Sequence, residues 1–340
     1  MRATIIVCTR NRADSIGETL EALSALQYSD RELLIVDSST GEQKDKMEQL
    51  ARQSGAKYVS EPRRGLSLAR NTGIAAASGE IIVFTDDDCI PAPDWLGKKM
   101  QAFEDSSVWG CTGRVIQHHV GGASDLFEEV AGQDLGTERR VFTKQDLEFG
   151  PSVLLANLGK VFAKHMKNHA PVPWCIGHGS STSFRREAFK QLGGFDDRFG
   201  GGAPLKACDD TEMFYRILKS GHSIVYEPGA VVRHKHRLTS DVESSGAVRR
   251  QAEATADEVF KTRYVYSFGG AAFMREHRGD ALMFFQFYGR FVQLLIKTAQ
   301  YKLTRNRELA ESFGSDLRGF RAGWKAHKQL PRPGSNRPGL

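Results

Sequence analysis

The sequence predicts an α/β fold, a mostly parallel, doubly wound sheet followed by a C-terminal helical extension. Three observations predict it. Between Ala3 and Phe84, short apolar runs alternate with amphipathic stretches in a β-α-β-α-β-α-β order, which implies parallel strands joined by right-handed crossovers. The apolar runs end in polar loops at Thr9 to Arg12, Asp37 to Ser39 and Asp86 to Asp88, and in a parallel sheet such loops share one edge. From about Leu238 the composition changes and helical periodicity takes over.

Ala3 to Cys8 opens the chain as a strand. Asp14 and Ser15 offer N-caps to a helix reaching about Leu26, with Ile16, Leu20, Leu23 and Leu26 on one face. A second strand at Glu32 to Val36 ends at Asp37, and a helix follows at Gln43 to Gln53. A short strand at Lys57 to Ser60 precedes a helix at Leu66 to Ala77. Ile81 to Phe84 is a continuous apolar run, which reads as a central strand buried on both faces. Gly79 supplies the turn before it, and Pro91 and Pro93 bar it from continuing inside a sheet.

Beyond this point the signals are sparser. Pro93 to Phe103 reads as a helix and Trp109 to Gln117 as a strand, while Gly121 to Val172 is weakly patterned. Ser180 to Phe184 reads as a strand leading into a helix that opens at Arg185. Gly193 to Asp196 reads as a turn and Gly200 to Pro204 as a mobile loop. Asp209 to Ser220 is a helix, followed by two strands at Ser223 to Tyr226 and Ala230 to His234. This places a first domain at 1–240, a helical region at 241–330 and a disordered tail at 331–340.

Composition sets outer limits. At 340 residues, with 40% hydrophobic and 26% charged residues, the chain suits one large domain with an appendage, or two domains. A net charge of +6 fits an anionic substrate or membrane surface and is too mild to argue for nucleic acid. The five cysteines are scattered and form no C-x-x-C pair, so neither a zinc framework nor a disulfide scaffold is expected, and reduced thiols fit the cytoplasm. Met1-Arg2 leads straight into a strand with no signal peptide, and no apolar run is long enough to span a bilayer.

The chemistry concentrates at Asp86, Asp87 and Asp88. Three adjacent carboxylates repel one another and are costly to desolvate, so a cation should compensate them. Carboxylate oxygens suit a hard divalent ion, Mn2+ or Mg2+. The plain alternative is a solvated acidic turn, or a cap for the helix that starts near Pro93.

Taken in order, the motifs resemble inverting glycosyltransferases of family 2 with a GT-A fold. They are Cys8-Thr9-Arg10-Asn11-Arg12, Ile35-Val36-Asp37-Ser38-Ser39, Arg64-Gly65-Leu66-Ser67-Leu68-Ala69-Arg70-Asn71 and Phe84-Thr85-Asp86-Asp87-Asp88. Phe184-Arg185-Arg186-Glu187-Ala188-Phe189 follows with Gly193-Gly194-Phe195-Asp196, then Asp209-Asp210-Thr211-Glu212 and Val231-Val232-Arg233-His234. The resemblance covers roughly residues 3 to 240. Two departures stand out: only Asp37 precedes the serines where two acids are common, and Asp209-Asp210 replaces the frequent Glu-Asp pair.

The resemblance implies a metal-dependent transfer from a nucleoside-diphosphate sugar, with a UDP-sugar favoured, to a saccharide or lipid-linked acceptor. It maps the D-x-D pattern onto Asp86 and Asp88, with Asp88 the foremost metal ligand and Asp86 or Asp87 on the ribose or sharing the ion. Asp210 matches the base beside Asp209, and Asp37 the nucleobase-binding acid. Thr9 and Arg12 fall where the nucleotide is held. Arg70 would pair with the base-binding acid or a phosphate, although a surface arginine is equally consistent. His234 matches the metal-binding histidine with His236 as rival, and His178 lies where the acceptor approaches. The bland counterparts are a turn for Asp37, helix capping for Asp209-Asp210 and a packed or surface histidine for His234.

Two other classes compete. A sugar-phosphate nucleotidyltransferase would carry a Gly-rich phosphate loop after the first strand, and Thr9 to Arg12 contains no glycine. A non-catalytic sugar- or nucleotide-binding module would be free to lose its acids, and Asp37 through Asp210 keep them. In the helical region, Ala281 to Ile296 is rich in Phe, Leu and Ile, and Lys297, Lys302, Arg305 and Arg307 follow it. That stretch is expected to pack on the catalytic domain, to form a homodimer, or to make peripheral contact with an anionic membrane face.

Overall fold

The computed structural model describes residues 1–118, 136–148, 172–235 and 256–330. Nine strands form one sheet in the order β3-β2-β1-β4-β8-β6-β9-β5, with β7 also paired to β9. The strands are β1 (Ala3–Thr9), β2 (Arg31–Asp37), β3 (Lys57–Ser60), β4 (Ile81–Asp86), β5 (Cys89–Pro91), β6 (Val108–His118), β7 (Arg140–Phe142), β8 (Thr182–Arg185) and β9 (Ser223–Lys235). Helices α1 (Gly17–Ser24), α2 (Glu42–Gln53), α3 (Leu66–Ala76) and α4 (Trp95–Ala102) belong to the first half. They are followed by α5 (Arg186–Leu192) and α6 (Asp209–Lys219).

Strands β1 to β4 are parallel, as the crossover pattern requires. Their apolar runs divide by alternation, because successive side chains leave opposite faces of a strand. Ile6, Leu34, Val36, Ile82 and Phe84 enter one core, and Ile5, Val7, Ile35, Ile81 and Val83 the other. The second half is mixed. β8 inserts antiparallel between β4 and β6, so the sheet is not parallel throughout.

Several local expectations change. Neither Asp14 nor Ser15 caps α1, which starts after Ile16. Asp14 turns instead to Gln43 and Lys46, and the Ser15 hydroxyl donates to the Arg12 carbonyl. Pro91 lies within a short strand, β5, because β5 is at the sheet edge, where a missing N–H is tolerated. The two strands expected at Ser223 to Tyr226 and Ala230 to His234 are one, β9, with a register break opposite Gly113 and Arg114 that absorbs Pro228, Gly229 and Ala230.

The loop expected to be mobile at Gly200 to Pro204 is tied down. Leu205 N–H bonds the Arg198 carbonyl at 2.8 Å, and Leu66 N–H bonds the Gly201 carbonyl at 2.9 Å. Phe199 and Leu205 are buried beneath it. Gly200 and Gly202 are there for backbone conformation, with φ of +98° and +78°. The expectations for Gly121 to Val172, for Leu238 onward to 255 and for the tail at 331–340 fall mostly or wholly outside the described residues.

Three C-terminal helices, α7 (Ala256–Glu276), α8 (Ala281–Leu303) and α9 (Arg307–Gln329), cover one face of the sheet domain. Phe268, Ala272, Phe273, Leu282, Met283, Leu294 and Phe320 join the same buried cluster as Phe84 and Phe184. Glycines set the spacing. A side chain at Gly319 or Gly323 of α9 would run into the carbonyls of Tyr264 and Phe268 on α7. On its other side, α7 meets the segment before α6, since a Cβ at Gly269 would lie 2.8 Å from that of Ala207.

One lysine is fully buried. Lys99 on α4 donates to the carbonyls of Ser181 at 3.0 Å and Cys111 at 3.3 Å, with its ammonium 5.4 Å from the Trp95 ring centre. Burial lowers its pKa to about 8 from an ordinary 10.5. A lysine with a depressed folded pKa costs stability below that value, and the cost fades as pH rises toward the unfolded pKa. The shift corresponds to about 3 kcal/mol. We predict that the stability of Lys99→Met relative to wild type is greatest below pH 8 and declines by that order on approaching pH 10.5. Urea unfolding across that range reads it, and a pH-independent difference contradicts a charged, buried Lys99.

Candidate active site

The parallel register brings the polar strand ends to one level. Thr9 pairs with Asp37 across β1 and β2, and Cys8 with Asp86 across β1 and β4. Asp86 is the last residue of β4, and Asp87 and Asp88 form the turn into β5. β5 then pairs with β9, setting Cys89 opposite His234. A distant strand thus delivers an imidazole to the acidic turn.

The three acids are not equivalent. Asp87 is turned inward, taking hydrogen bonds from the Thr9 hydroxyl at 2.7 Å and Arg12 Nη1 at 2.6 Å. Burial pushes its pKa up to about 6 in spite of Arg12. Asp88 Oδ2 accepts from the same Arg12 nitrogen at 2.8 Å. Arg12 therefore supplies part of the compensation expected from a metal, and Thr9, Arg12 and Asp87 form one internal cluster. Asp88 Oδ1 is buried and accepts no hydrogen bond, and His234 Nε2 stands 3.1 Å from it. Burial alone would raise the Asp88 pKa, but His234 and Arg12 hold it below the ordinary value. For His234, burial favours the neutral ring, and Asp88 and Asp86 outweigh it and raise its pKa.

Donor atoms of Asp86, Asp88, Cys89 and His234 all lie within 4.8 Å of one another. Burial, reinforced by Asp86 and Asp88, pushes the Cys89 thiol well above its usual range. A protonated thiol is a poor ligand for a hard ion. Two carboxylates and an imidazole remain, and with the orphaned Asp88 Oδ1 they fit a divalent cation such as Mn2+ or Mg2+. The rival His236 lies outside the described residues.

The second acidic pair opens α6. Cys208 before it adopts a left-handed conformation, φ +70°. Asp209 is buried against Arg70, whose guanidinium also sits 5.4 Å and 5.2 Å from the Phe84 and Phe195 ring centres. Arg70 was expected at Asp37, at a phosphate or on the surface. It is instead 3% exposed and pairs with Asp209. Burial raises the pKa of Asp209 against the opposing charge of Arg70, and Asp210 raises it further.

Asp210 differs. Its Oδ1 accepts from the Thr211 N–H at 2.7 Å and the Thr211 hydroxyl at 3.3 Å. Its Oδ2 lies 3.1 Å from where a Cβ on Gly179 would stand, so a glycine there keeps that oxygen clear. Burial raises its pKa, with Arg70 and Thr211 opposing. A carboxylate with a raised pKa is a stronger base than an ordinary one.

The loop at His178 to Ser181 links the two acidic groups. The His178 ring lies 5.6 Å from that of His234, and Gly179 faces Asp210. Trp95 Nε1 holds the Ser181 hydroxyl at 3.0 Å, and buried Lys99 holds its carbonyl. His178 Nδ1 accepts from Ser180 N–H at 3.2 Å, and burial followed by the nearby His234 keeps its pKa low.

Asp37 is almost fully buried. Its Oδ1 accepts from the Ser39 N–H at 2.9 Å and the Ser39 hydroxyl at 2.5 Å, and its Oδ2 from the Tyr58 hydroxyl at 3.0 Å. The turn-forming role is thus present in full. Two groups escape the sequence. Lys99 gives no local sign of reaching Ser181. Tyr266 of α7 is 53% exposed, yet surrounding protein and then the charge of Asp210 push its hydroxyl up to about 12. The helix that carries Tyr266 is seated by the Gly269–Ala207 contact one turn away.

The chain is similar to known proteins in sequence and in fold. The family described as Glycosyl transferase family 2 matches residues 4–193. A glucosyl-dolichyl phosphate glucuronosyltransferase of Haloferax volcanii is 24% identical over 242 residues, covering 69% of each chain. A pre-mycofactocin glycosyltransferase of Mycobacterium tuberculosis is 23% identical over 239 residues, covering 69% of this chain and 43% of that one. Among solved structures, a mannosyltransferase from Pyrobaculum calidifontis in complex with GDP-Man and Mn2+ is similar with a TM-score of 0.57 and 20% identity. It covers 96% of this chain and 86% of that chain, and the likeness is one of fold.

The Arg70–Asp209 pair yields a prediction. Removing one partner of a buried ion pair leaves the other charge uncompensated, at a cost of about 3–5 kcal/mol. Arg70→Met should lose stability of that order at neutral pH, and Arg70→Met with Asp209→Leu should recover much of it. Denaturant unfolding of the two variants checks this, and equal losses contradict the pairing.

Proposed function

This chain belongs to glycosyltransferase family 2, an inverting family, and from that premise we propose how its residues divide the transfer of a sugar from a nucleoside-diphosphate donor to an acceptor hydroxyl. Residues 1–240 form the catalytic unit and 241–330 a helical region packed on it. Asp210 Oδ2 is the base. It takes the proton of the acceptor hydroxyl as that oxygen attacks the anomeric carbon from the face opposite the diphosphate. Asp209, neutralised by Arg70, positions the N-terminus of α6 and does not itself exchange the proton. Arg70 thus positions the base rather than contacting the donor.

Asp88, Asp86 and His234 hold the divalent cation, with Asp86 also within reach of the ribose. Bound there, the cation supplies Lewis-acid charge for the departing diphosphate. The imidazole ligand favours Mn2+ over Mg2+. Thr9, Arg12 and Asp87 fix the turn that presents these ligands, and Arg12 adds positive charge on the phosphate side. Asp37 receives the nucleobase through the remaining lone pair of Oδ2, and a UDP-sugar is the favoured donor.

The observation that carries this reading is the unequal treatment of the acids. Arg12 is shared between Asp87 and one oxygen of Asp88, and Arg70 pairs with Asp209. Asp88 Oδ1 is left without a hydrogen bond beside His234, and Asp210 Oδ2 is kept clear by Gly179. The Haloferax volcanii relative is named for a glucosyl-dolichyl phosphate, which supports a lipid-linked saccharide acceptor here. Contact with a membrane at its cytoplasmic face, or with a second copy, would run through 281–307. Among the described residues, no helix is long and apolar enough to cross a membrane.

Release of nucleoside diphosphate, rather than pyrophosphate, from a nucleotide sugar tests the reaction class. Asp210→Asn keeps size and removes basicity. It should lower kcat about a hundredfold or more with donor affinity nearly intact. The acid limb of the wild-type kcat profile should lie above the ordinary carboxylate range. Asp88→Asn should abolish turnover and weaken donor binding only in the presence of Mn2+ or Mg2+. Full activity in excess chelator, or a lethal Asp209→Asn beside a mild Asp210→Asn, contradicts these assignments.

A further inference from the structure

Of the large apolar side chains that stand exposed among the described residues, most lie on one helix. Phe284, Phe285, Tyr288, Val292, Leu295, Ile296 and Leu303 of α8 are each between 39% and 84% exposed. Their spacing decides what they form. At 100° per residue they fall within one sector of about 120°, with the exposed Ala281 and Ala299 at its centre. The stripe runs the length of α8, about 33 Å at 1.5 Å per residue.

The opposite side of α8 is fully engaged. Leu282, Met283 and Leu294 are buried, and Phe287 stacks on Phe320 at 4.8 Å and Trp324 at 4.1 Å. The helix is therefore anchored by one face and presents the other. The structure divides the apolar residues of this stretch into a packed half and a presented half.

The cations beside the stripe are Lys302 on α8 and the exposed Arg305 and Arg307 that follow it, and α8 itself carries no acidic residue. Arg290 and Lys297 lie on the side away from the stripe, where Arg290 meets Asp316 of α9 at 3.4 Å. Arg321 of α9, also exposed, lies 5.7 Å from the ring centre of Phe291 at the stripe's edge. A second copy docking through the same stripe would bring two such basic rims together without acids from either α8. An anionic lipid surface would accept the apolar residues and compensate the rim.

We infer that α8 lies in the plane of an anionic membrane surface, with its stripe at the headgroup–acyl boundary and its basic rim on the headgroups. This deepens the lipid-linked acceptor reading, but its test needs no donor, acceptor or metal, so either can fail alone. The purified full chain is floated with phosphatidylcholine vesicles, with and without about one third phosphatidylglycerol, at low and high salt. It should float with the anionic vesicles at low salt, and much less with neutral vesicles or at high salt. Phe284→Gln with Val292→Gln and Ile296→Gln should cut the bound fraction about tenfold. Lys302→Gln with Arg305→Gln should remove the preference for anionic vesicles.

Thermal unfolding should be unchanged in both variants, because every substituted side chain is exposed. Failure to float at low salt, equal flotation on neutral vesicles, or unchanged flotation of the triple variant overturns the inference. A dimer in sedimentation that the triple variant dissociates, with no flotation, assigns the stripe to a second copy instead.

Discussion

Six carboxylates crowd one edge of the sheet, and the arrangement of the site follows from how their charge is offset. Asp37, Asp86, Asp87, Asp88, Asp209 and Asp210 are all buried or half-buried. Left alone, each would be pushed toward its neutral form, and the cluster would lose the charge that binds a cation. The protein answers with three different devices. Arg12 bridges Asp87 and Asp88, Arg70 neutralises Asp209, and the Ser39 and Tyr58 hydroxyls with the Ser39 N–H satisfy Asp37. Two oxygens are engaged by neither arginine nor hydroxyl: Asp88 Oδ1, with His234 Nε2 3.1 Å away, and Asp210 Oδ2 beside Gly179. In the proposed reading, these are the positions that meet the cation and the incoming hydroxyl.

Such a distribution needs stiff supports, because a shift of about 1 Å in a catalytic group is costly. The loop from His178 to Ser181 joins both acidic groups and is fixed from beneath by Trp95 and a buried lysine. Spending a lysine there is expensive, and the return is a carbonyl anchored with ammonium strength. From the other side, α7 presses on the segment before α6 through Gly269 and Ala207. The C-terminal helices thus reach the segment that leads into Asp209 and Asp210. The same helical layer presents the exposed apolar stripe of α8.

Much of this was legible in the sequence, for reasons that differ by region. The four leading strands and their polar ends were readable because apolar runs and crossover helices alternate there. That placed Thr9, Asp37 and Asp86 at one level before any coordinates. Asp210 and His234 came from motif order, since nothing local distinguishes them from a helix cap or a packed histidine. The direction of β8 was not readable, because an apolar run marks a strand without its polarity. Arg12 and Arg70 were noticed and given different partners, because long side chains choose partners across the fold. The glycines at 200 and 202 suggested mobility, whereas their positive φ angles show a fixed turn. Tyr266 was missed because the contact that positions it joins residues far apart in sequence.

The central claim is that Asp88, Asp86 and His234 form a metal site from which Asp87 is excluded. Pulsed electron paramagnetic resonance of the Mn2+-loaded protein tests it most directly, since it senses nitrogen bound to manganese without relying on turnover. The account predicts a nitrogen coupling that His234→Ala abolishes, together with Mn2+ affinity that falls in Asp88→Asn and is largely retained in Asp87→Asn. Absence of the nitrogen coupling in the wild type, its persistence in His234→Ala, or loss of affinity in Asp87→Asn alone would contradict it.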